Sequence, residues 1–286
     1  MPRGFSRSVS LLALAPAAPL LEDVLVGVQP FVPLPLTAPL IDGAADFNVT
    51  LTLQLRSEVA LPAGRELTIC SEWAGARQHA LPALDVGTTT VHISLEARNV
   101  RLWWPHELRP ASQPVSKLYS FNVSIASPSS AVDSARADTH GEFSAVLTRR
   151  IGFRVAELVQ DPPAVGNGTL WQWRINGVLL YVRGANVIPF DALTTRGRVG
   201  LPQFKSVVGS AVAAHMQMLR IWGGGQYLAS EFYDVCDEMG VLVWQEVAFA
   251  CAVFPAHAEF AASVRAEVQH QTTRLVSMNT GLRSHF

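Results

Sequence analysis

The sequence predicts a multidomain chain, an antiparallel β-sandwich of immunoglobulin-like size followed by a parallel β/α unit. Three observations carry this. From Asp23 to about Val155 apolar and polar residues alternate in short runs broken by turns, with almost no helical periodicity. From Met216 to Val247 the order is apolar strand, glycine triplet, amphipathic helix, apolar strand. Between them, Leu170 to Val182 reads as two apolar strands joined by Asn176-Gly177, a pair suited to the positive φ of a type I′ hairpin turn. The 286 residues, 49% of them hydrophobic, suffice for two domains or one large barrel.

In chain order, MPRGFSRSVSLLALAPAAPLL has early arginines and an apolar stretch that faintly imitates a secretory signal, but Pro16 and Pro19 interrupt it. The competing reading is a remnant of a preceding domain over residues 1–21. Pro30, Pro33 and Pro35 mark an edge or linker, since proline gives no ladder hydrogen bond. Asp46–Leu55, Glu66–Trp73, Thr90–Ala97 and Ser116–Ala126 alternate as half-buried strands do. The aromatics of Arg101–Pro105, RLWWP, read as packing at a strand end rather than as a sugar-stacking site. Ser127–His140 has loop composition.

After the hairpin, Pro202–His215 places Phe204, Val207, Val208, Ala211 and Val212 on one helical face. The next helix has Ser230 as N-cap, Glu231 in its first turn and Gly240 as its stop. A last helix, Phe260–Leu275, carries a buried stripe of Phe260, Val264, Val268 and Leu275. The two apolar strands around the Ser230 helix form a βαβ unit, so they run parallel and gather chemistry at their C-terminal ends. Those ends carry Arg220 and Trp222 on one strand and Trp244, Gln245 and Glu246 on the next. Indoles that cover the apolar face of a sugar, beside charged groups for its hydroxyls, suit a polyhydroxylated ligand. The alternative is two core tryptophans and one buried Arg220–Glu246 ion pair.

Composition narrows the partners. With 22 basic and 23 acidic residues the net charge is −1, so no global field draws the chain to nucleic acid or an anionic membrane. No run approaches the roughly 18 apolar residues of a membrane span. Cys70, Cys236 and Cys251 form neither a disulfide framework nor a zinc pattern and read as buried free thiols. No cofactor or metal is indicated, and Gly223–Gly225 lacks the GxGxxG form of a dinucleotide site. Asn48, Asn122 and Asn167 begin N-x-Ser/Thr sequons, which point to a lysosomal or secretory lumen.

LRIWGGGQY, EFYDVCDEMGVLVWQE and FACAVFP closely resemble the barrel segment of β-mannosidases, retaining enzymes of glycoside hydrolase family 2. RLWWP, RRIGFRVAEL and RGANVIPFDAL match the same family. The resemblance implies a sandwich over residues 22–160 and the first part of a (β/α)₈ TIM barrel over 161–286. It implies release of terminal β-linked mannose from glycans, with a β-mannoside or oligosaccharide as partner. It implies Asp191, Arg220, Trp222, Trp244 and Glu246 as substrate-binding residues. It also implies departures: Val187 stands where the family has tryptophan, removing one aromatic wall, His215 and Gln217 replace asparagines, and Glu246 replaces aspartate. His215, a lone histidine, reads as a hydrogen-bonded helix end rather than a catalyst. Leu282–His285 resembles the start of the turn that precedes a strand ending Asn-Glu. The family's two catalytic glutamates lie on later strands, so the expectation is a truncated, inactive chain whose last strand leaves an open edge. The alternative is a non-catalytic carbohydrate-binding or interaction protein. Oligomeric state is not legible in these residues.

Overall fold

The structure, a computed structural model, describes residues 18–42, 45–126, 143–162, 166–190 and 200–276. The signal-like residues 1–17, the 127–140 loop, Asp191 and the 282–285 turn lie outside the described residues.

Two antiparallel sheets face one another. One has the order β1 (Leu20–Pro30), β2 (Ala45–Ser57), β5 (Gly87–Val100); the other runs β4 (Gly75–Ala80), β3 (Glu66–Ser71), β6 (Tyr119–Ala126), β7 (Phe143–Ile151). Alternation decides which side chains meet. In β2, Phe47, Val49, Leu51, Leu53 and Leu55 are buried while Asn48, Thr50, Thr52 and Gln54 face outward. In β6, Tyr119, Phe121, Val123 and Ile125 point inward to meet them. Phe153, just past β7, stands at the aromatic centre, 5.3 Å from the Phe47 ring and 5.2 Å from that of Tyr119. Pro30 ends β1, an edge strand, as the missing N–H requires.

Within RLWWP, Trp103 is 0% and Trp104 5% exposed. They are packing residues, as the sequence suggests. Asn176 and Gly177, at φ 53° and 81°, turn β9 (Gln172–Ile175) into β10 (Val178–Leu180). With β8 (Ala156–Val159) these form a small sheet of order β10-β9-β8.

The third sheet is parallel, with β12 (Met218–Ile221) between β11 (Gly184–Val187) and β13 (Leu242–Gln245). Helices α1 (Leu201–Ala213) and α2 (Ser230–Met239) cover one face, where Phe204, Val208, Phe232 and Val235 bury Leu219, Ile221 and Val243. On the other face Met218 and Leu242 are buried by Trp103, Trp173, Ile175 and Leu180. The start of the parallel sheet is therefore plugged by Trp103 and by side chains of β9 and β10.

Three expectations are corrected. Ser230 is the first helical residue; Ala229 occupies the N-cap and makes no side-chain cap bond. Helix α3 (Ala258–Val276) presents Phe260, Val264, Val268 and Leu275 along one face, but all four are only half-buried. Cys236 is a buried thiol, raised in pKa by burial, whereas Cys70 and Cys251 are exposed. Cys70 follows inward-facing Ile69 in β3 and so must point out.

Gly240 ends α2 in the left-handed region at φ 75°. An added Cβ would lie 2.5 Å from Ser116 Oγ and 2.8 Å from the His106 nitrogen. Gly240→Ala is thus expected to cost about 1–3 kcal/mol from backbone strain alone, read as a lower urea midpoint at unchanged slope.

Candidate functional site

Parallel register brings the site together. Asn186 of β11 pairs with Arg220 of β12, and Arg220 pairs with Trp244 of β13. Laterally paired residues share a face, so all three stand above the plugged Met218–Leu242 layer on the side away from the helices. The Arg220 guanidinium donates through Nη1 to Asn186 Oδ1 at 2.8 Å and through Nη2 to Glu246 Oε1. Its centre lies 5.8 Å from the Trp244 ring centroid. The second Glu246 oxygen accepts the Gly223 N–H at 2.7 Å. Both oxygens of this carboxylate are committed.

The ion pair foreseen between Arg220 and Glu246 does form, but its side chains keep 33% and 26% of their exposure. Trp244 is 42% exposed, so it is not a core aromatic. Trp222 behaves differently. Past the end of β12, its ring folds back on Gly224 so closely that a Cβ there would overlap the indole. A Cβ on Gly223 would overlap the Val247 carbonyl oxygen. These two glycines are needed for close approach of the loop to Trp222 and to the end of β13.

Behind the rim, the Tyr233 hydroxyl donates to Gln245 Oε1 at 2.6 Å, and Gln245 Nε2 donates to the Glu246 carbonyl at 2.7 Å. Burial pushes the Tyr233 phenol up to about 12, so it remains a donor at neutral pH. Helix α3 reaches the same loop, with Arg274 donating to the Leu228 carbonyl and the Ser230 hydroxyl.

Asp191 lies outside the described residues. Val187 is 8% exposed and packs among the α1 and α2 side chains, so it lines the core beneath the rim instead of an aromatic wall. Asn186, the partner that orients Arg220, was not foreseen. Its signal is the Gly-Ala-Asn run at the end of β11. Among the described residues no cluster of three or more His, Cys, Asp or Glu could hold a metal, and no helix is long and apolar enough to cross a membrane. An open depression of about 330 Å³ lies elsewhere, between β1, β2 and α3, lined by Gly27, Thr50, Thr52, Thr272 and Thr273. It contains none of the rim residues.

No family model matches the chain. The β-mannosidase of Capra hircus is 41% identical over 178 residues, which are 62% of this chain and 18% of that protein. The β-mannosidase of Rattus norvegicus is 32% identical over 219 residues, 76% of this chain and 23% of that protein. The crystal structure of the β-D-mannosidase from Dictyoglomus thermophilum superposes with a TM-score of 0.69 at 25% identity, covering 92% of this chain and 28% of that one. The chain is a homologue of the β-mannosidases. It spans about a fifth of the length of the curated relatives it matches. A β-glucuronidase from Parabacteroides merdae, at TM-score 0.65 and 13% identity, shares the fold. This β-mannosidase homologue resembles glycoside hydrolases and has a sandwich-type β domain.

In this homologue His215 is a helix-end residue. It sits at φ 57° after α1, 70% exposed, with Nδ1 2.6 Å from Glu107 Oε1. Glu107 also takes Arg183 Nη2 at 2.8 Å. The hydrogen bond from His215 holds the Glu107 carboxyl below its ordinary 4.5, helped by the charges of His215, Arg183 and His106. A depressed carboxyl contributes stability that is complete above its unfolded pKa and disappears as pH falls through the folded one. Glu107→Gln is therefore expected to flatten the stability-versus-pH curve below about pH 4.5. Urea midpoints of both proteins across the acid range measure this.

Proposed function

We propose that the chain supplies the substrate-gripping strand tips of a retaining β-mannosidase, acting on terminal β-D-mannose of glycans. The observation that carries this is the in-register rim of Asn186, Arg220 and Trp244 with Glu246 at its edge, found in a β-mannosidase homologue. Three parallel strands with helices on one face are read as the first part of a (β/α)₈ barrel within residues 161–286, after a sandwich over 22–160. The half-exposed Trp244 indole covers the apolar face of the sugar, and Arg220 donors left over from Asn186 and Glu246 take its hydroxyls. Trp222 forms the floor of the glycine loop, and Asp191 is kept as a binding carboxylate on the sequence alone.

Glu246 acts through Arg220. Retaining hydrolysis needs two carboxyls about 5–5.5 Å apart, one to attack the anomeric carbon and one to protonate the leaving oxygen. A single carboxylate whose oxygens are held by Arg220 and the Gly223 N–H cannot do both. Glu246 is therefore expected to hold Arg220 for sugar binding without itself reacting. The commitment of both Glu246 oxygens also favours a second reading, a non-catalytic carbohydrate-binding protein.

Calorimetric titration with mannose and a chromogenic β-mannoside assay test the proposal together. Saturable binding is expected, weakened about tenfold by Trp244→Ala through loss of the stacking surface, with stability changed by no more than about 0.5 kcal/mol. Absence of binding would remove the reading. Turnover abolished by Glu246→Gln would instead make Glu246 a catalytic residue and refute its positioning role.

A further inference from the structure

The chain contains two exposure-contrasted Asn-Gly pairs, Asn167-Gly168 and Asn176-Gly177. Glycine after asparagine leaves the following backbone nitrogen unshielded by a Cβ, and that nitrogen can attack the asparagine side-chain carbonyl carbon. Whether it does so depends on how firmly the amide is held.

Asn176 is held at every polar atom. It is 0% exposed. Its Oδ1 accepts the Val155 N–H at 2.9 Å and its Nδ2 donates to the Trp103 carbonyl at 3.0 Å. Its own N–H donates to the Val155 carbonyl at 2.8 Å, and its carbonyl accepts the Leu40 N–H at 2.9 Å. Attack would require the amide to leave two buried hydrogen bonds, each costly to abandon.

Asn167 lies in the turn between β8 and β9, and residues 166–169 are all exposed. Gly166 and Gly168 adopt φ 89° and 129°, conformations that glycine alone takes without strain. The turn is closed outside this pair, by the Leu170 N–H donating to the Asp161 carbonyl at 2.9 Å.

We propose that Asn167-Gly168 is a site of spontaneous deamidation and backbone isomerisation in the folded protein, from which the fold exempts Asn176-Gly177. The Gly168 nitrogen loses its proton and bonds to Asn167 Cγ; the Cγ–Nδ2 bond breaks and the nitrogen departs as ammonia. Water then opens the resulting succinimide at either carbonyl, giving aspartate or isoaspartate. The change places a negative charge at the β8–β9 turn. It also removes the nitrogen through which the Asn167-Gly168-Thr169 sequon would carry a glycan.

The test uses unglycosylated chain from a bacterial cytosol, aged in mildly alkaline buffer and digested with trypsin. Cleavage after Arg154, Arg174 and Arg183 puts the two pairs in different peptides. Mass spectrometry and isoaspartyl methyltransferase labelling are expected to show conversion at Asn167 at least about tenfold faster than at Asn176, the factor given by a modest difference in barrier. In concentrated urea the two rates should converge, and Asn167→Gln should remove most of the label from the folded chain. Equal rates in the folded protein, an Asn176 that stays protected in urea, or label undiminished by Asn167→Gln would each overturn the proposal.

Discussion

Trp103→Ala is expected to lower the free energy of unfolding by about 3–5 kcal/mol, the range for removing a fully buried aromatic. Trp103 is fully buried, so its truncation opens a cavity in the core. Its backbone N–H donates to the Phe153 carbonyl at 2.8 Å in the sandwich, and its indole N–H donates to the Asp237 carbonyl of α2 at 2.8 Å. The ring itself packs with Trp173, Ile175, Leu180, Met218 and Leu242. Gly152 is shaped to it, since an added Cβ would lie 2.7 Å from Trp103 Cβ. The substitution removes the plug beneath the parallel strands as well as a core residue, so the rim above should loosen with it. Urea denaturation followed by fluorescence measures the cost; a loss under about 1 kcal/mol would contradict this account of how the two parts are joined.

Asn176→Ala is expected to cost a comparable amount for a different reason. The Val155 N–H and the Trp103 carbonyl lose their side-chain partner inside the protein, at about 1–3 kcal/mol for each buried group left unpaired. Alanine must also hold φ 53°, which costs about 1–2 kcal/mol. Asn176→Asp separates the two effects. Its carboxylate can still accept from Val155 but has nothing to donate to Trp103, and it buries a charge. Both variants should unfold at lower urea concentration than wild type, and a neutral alanine variant would show that the two side-chain hydrogen bonds of Asn176 are not what fixes the hairpin.

Much of this fold is written in local periods. The inward set of β2 follows directly from DFNVTLTLQL, because a strand alternates faces with every residue. The hairpin at Asn176-Gly177 and the stop at Gly240 follow from residues that tolerate positive φ. Strand β4, GARQHA, was not legible, since it is an outer strand whose side chains are mostly exposed and is held through its backbone pairing with β3. The α3 stripe was legible as a stripe but not in its depth. Burial depends on what packs against a helix, and nothing within the helix records that.

The site divides in the same way. Arg220, Trp222, Trp244 and Glu246 stand out in the sequence as candidates because they lie at the ends of apolar runs in a parallel unit. Their roles could not, because Trp222 folding onto Gly224 and Trp244 standing half-exposed are set by loop packing and strand register. Asn186 is not legible in the sequence because its contact is lateral. It matters only because β11 lies beside β12 with Asn186 opposite Arg220.

By itself the sequence determined the alternating inner strands, the helices and the turns at Asn176-Gly177 and Gly240, because these depend on neighbours a few positions apart. Only the tertiary structure decided that Asn186, Arg220 and Glu246 form one hydrogen-bonded group in which each Glu246 oxygen already accepts a bond. Those partners are 34 and 26 residues apart along the chain. What brings them together is the alignment of parallel strands over a shared core, which no short stretch of the chain encodes.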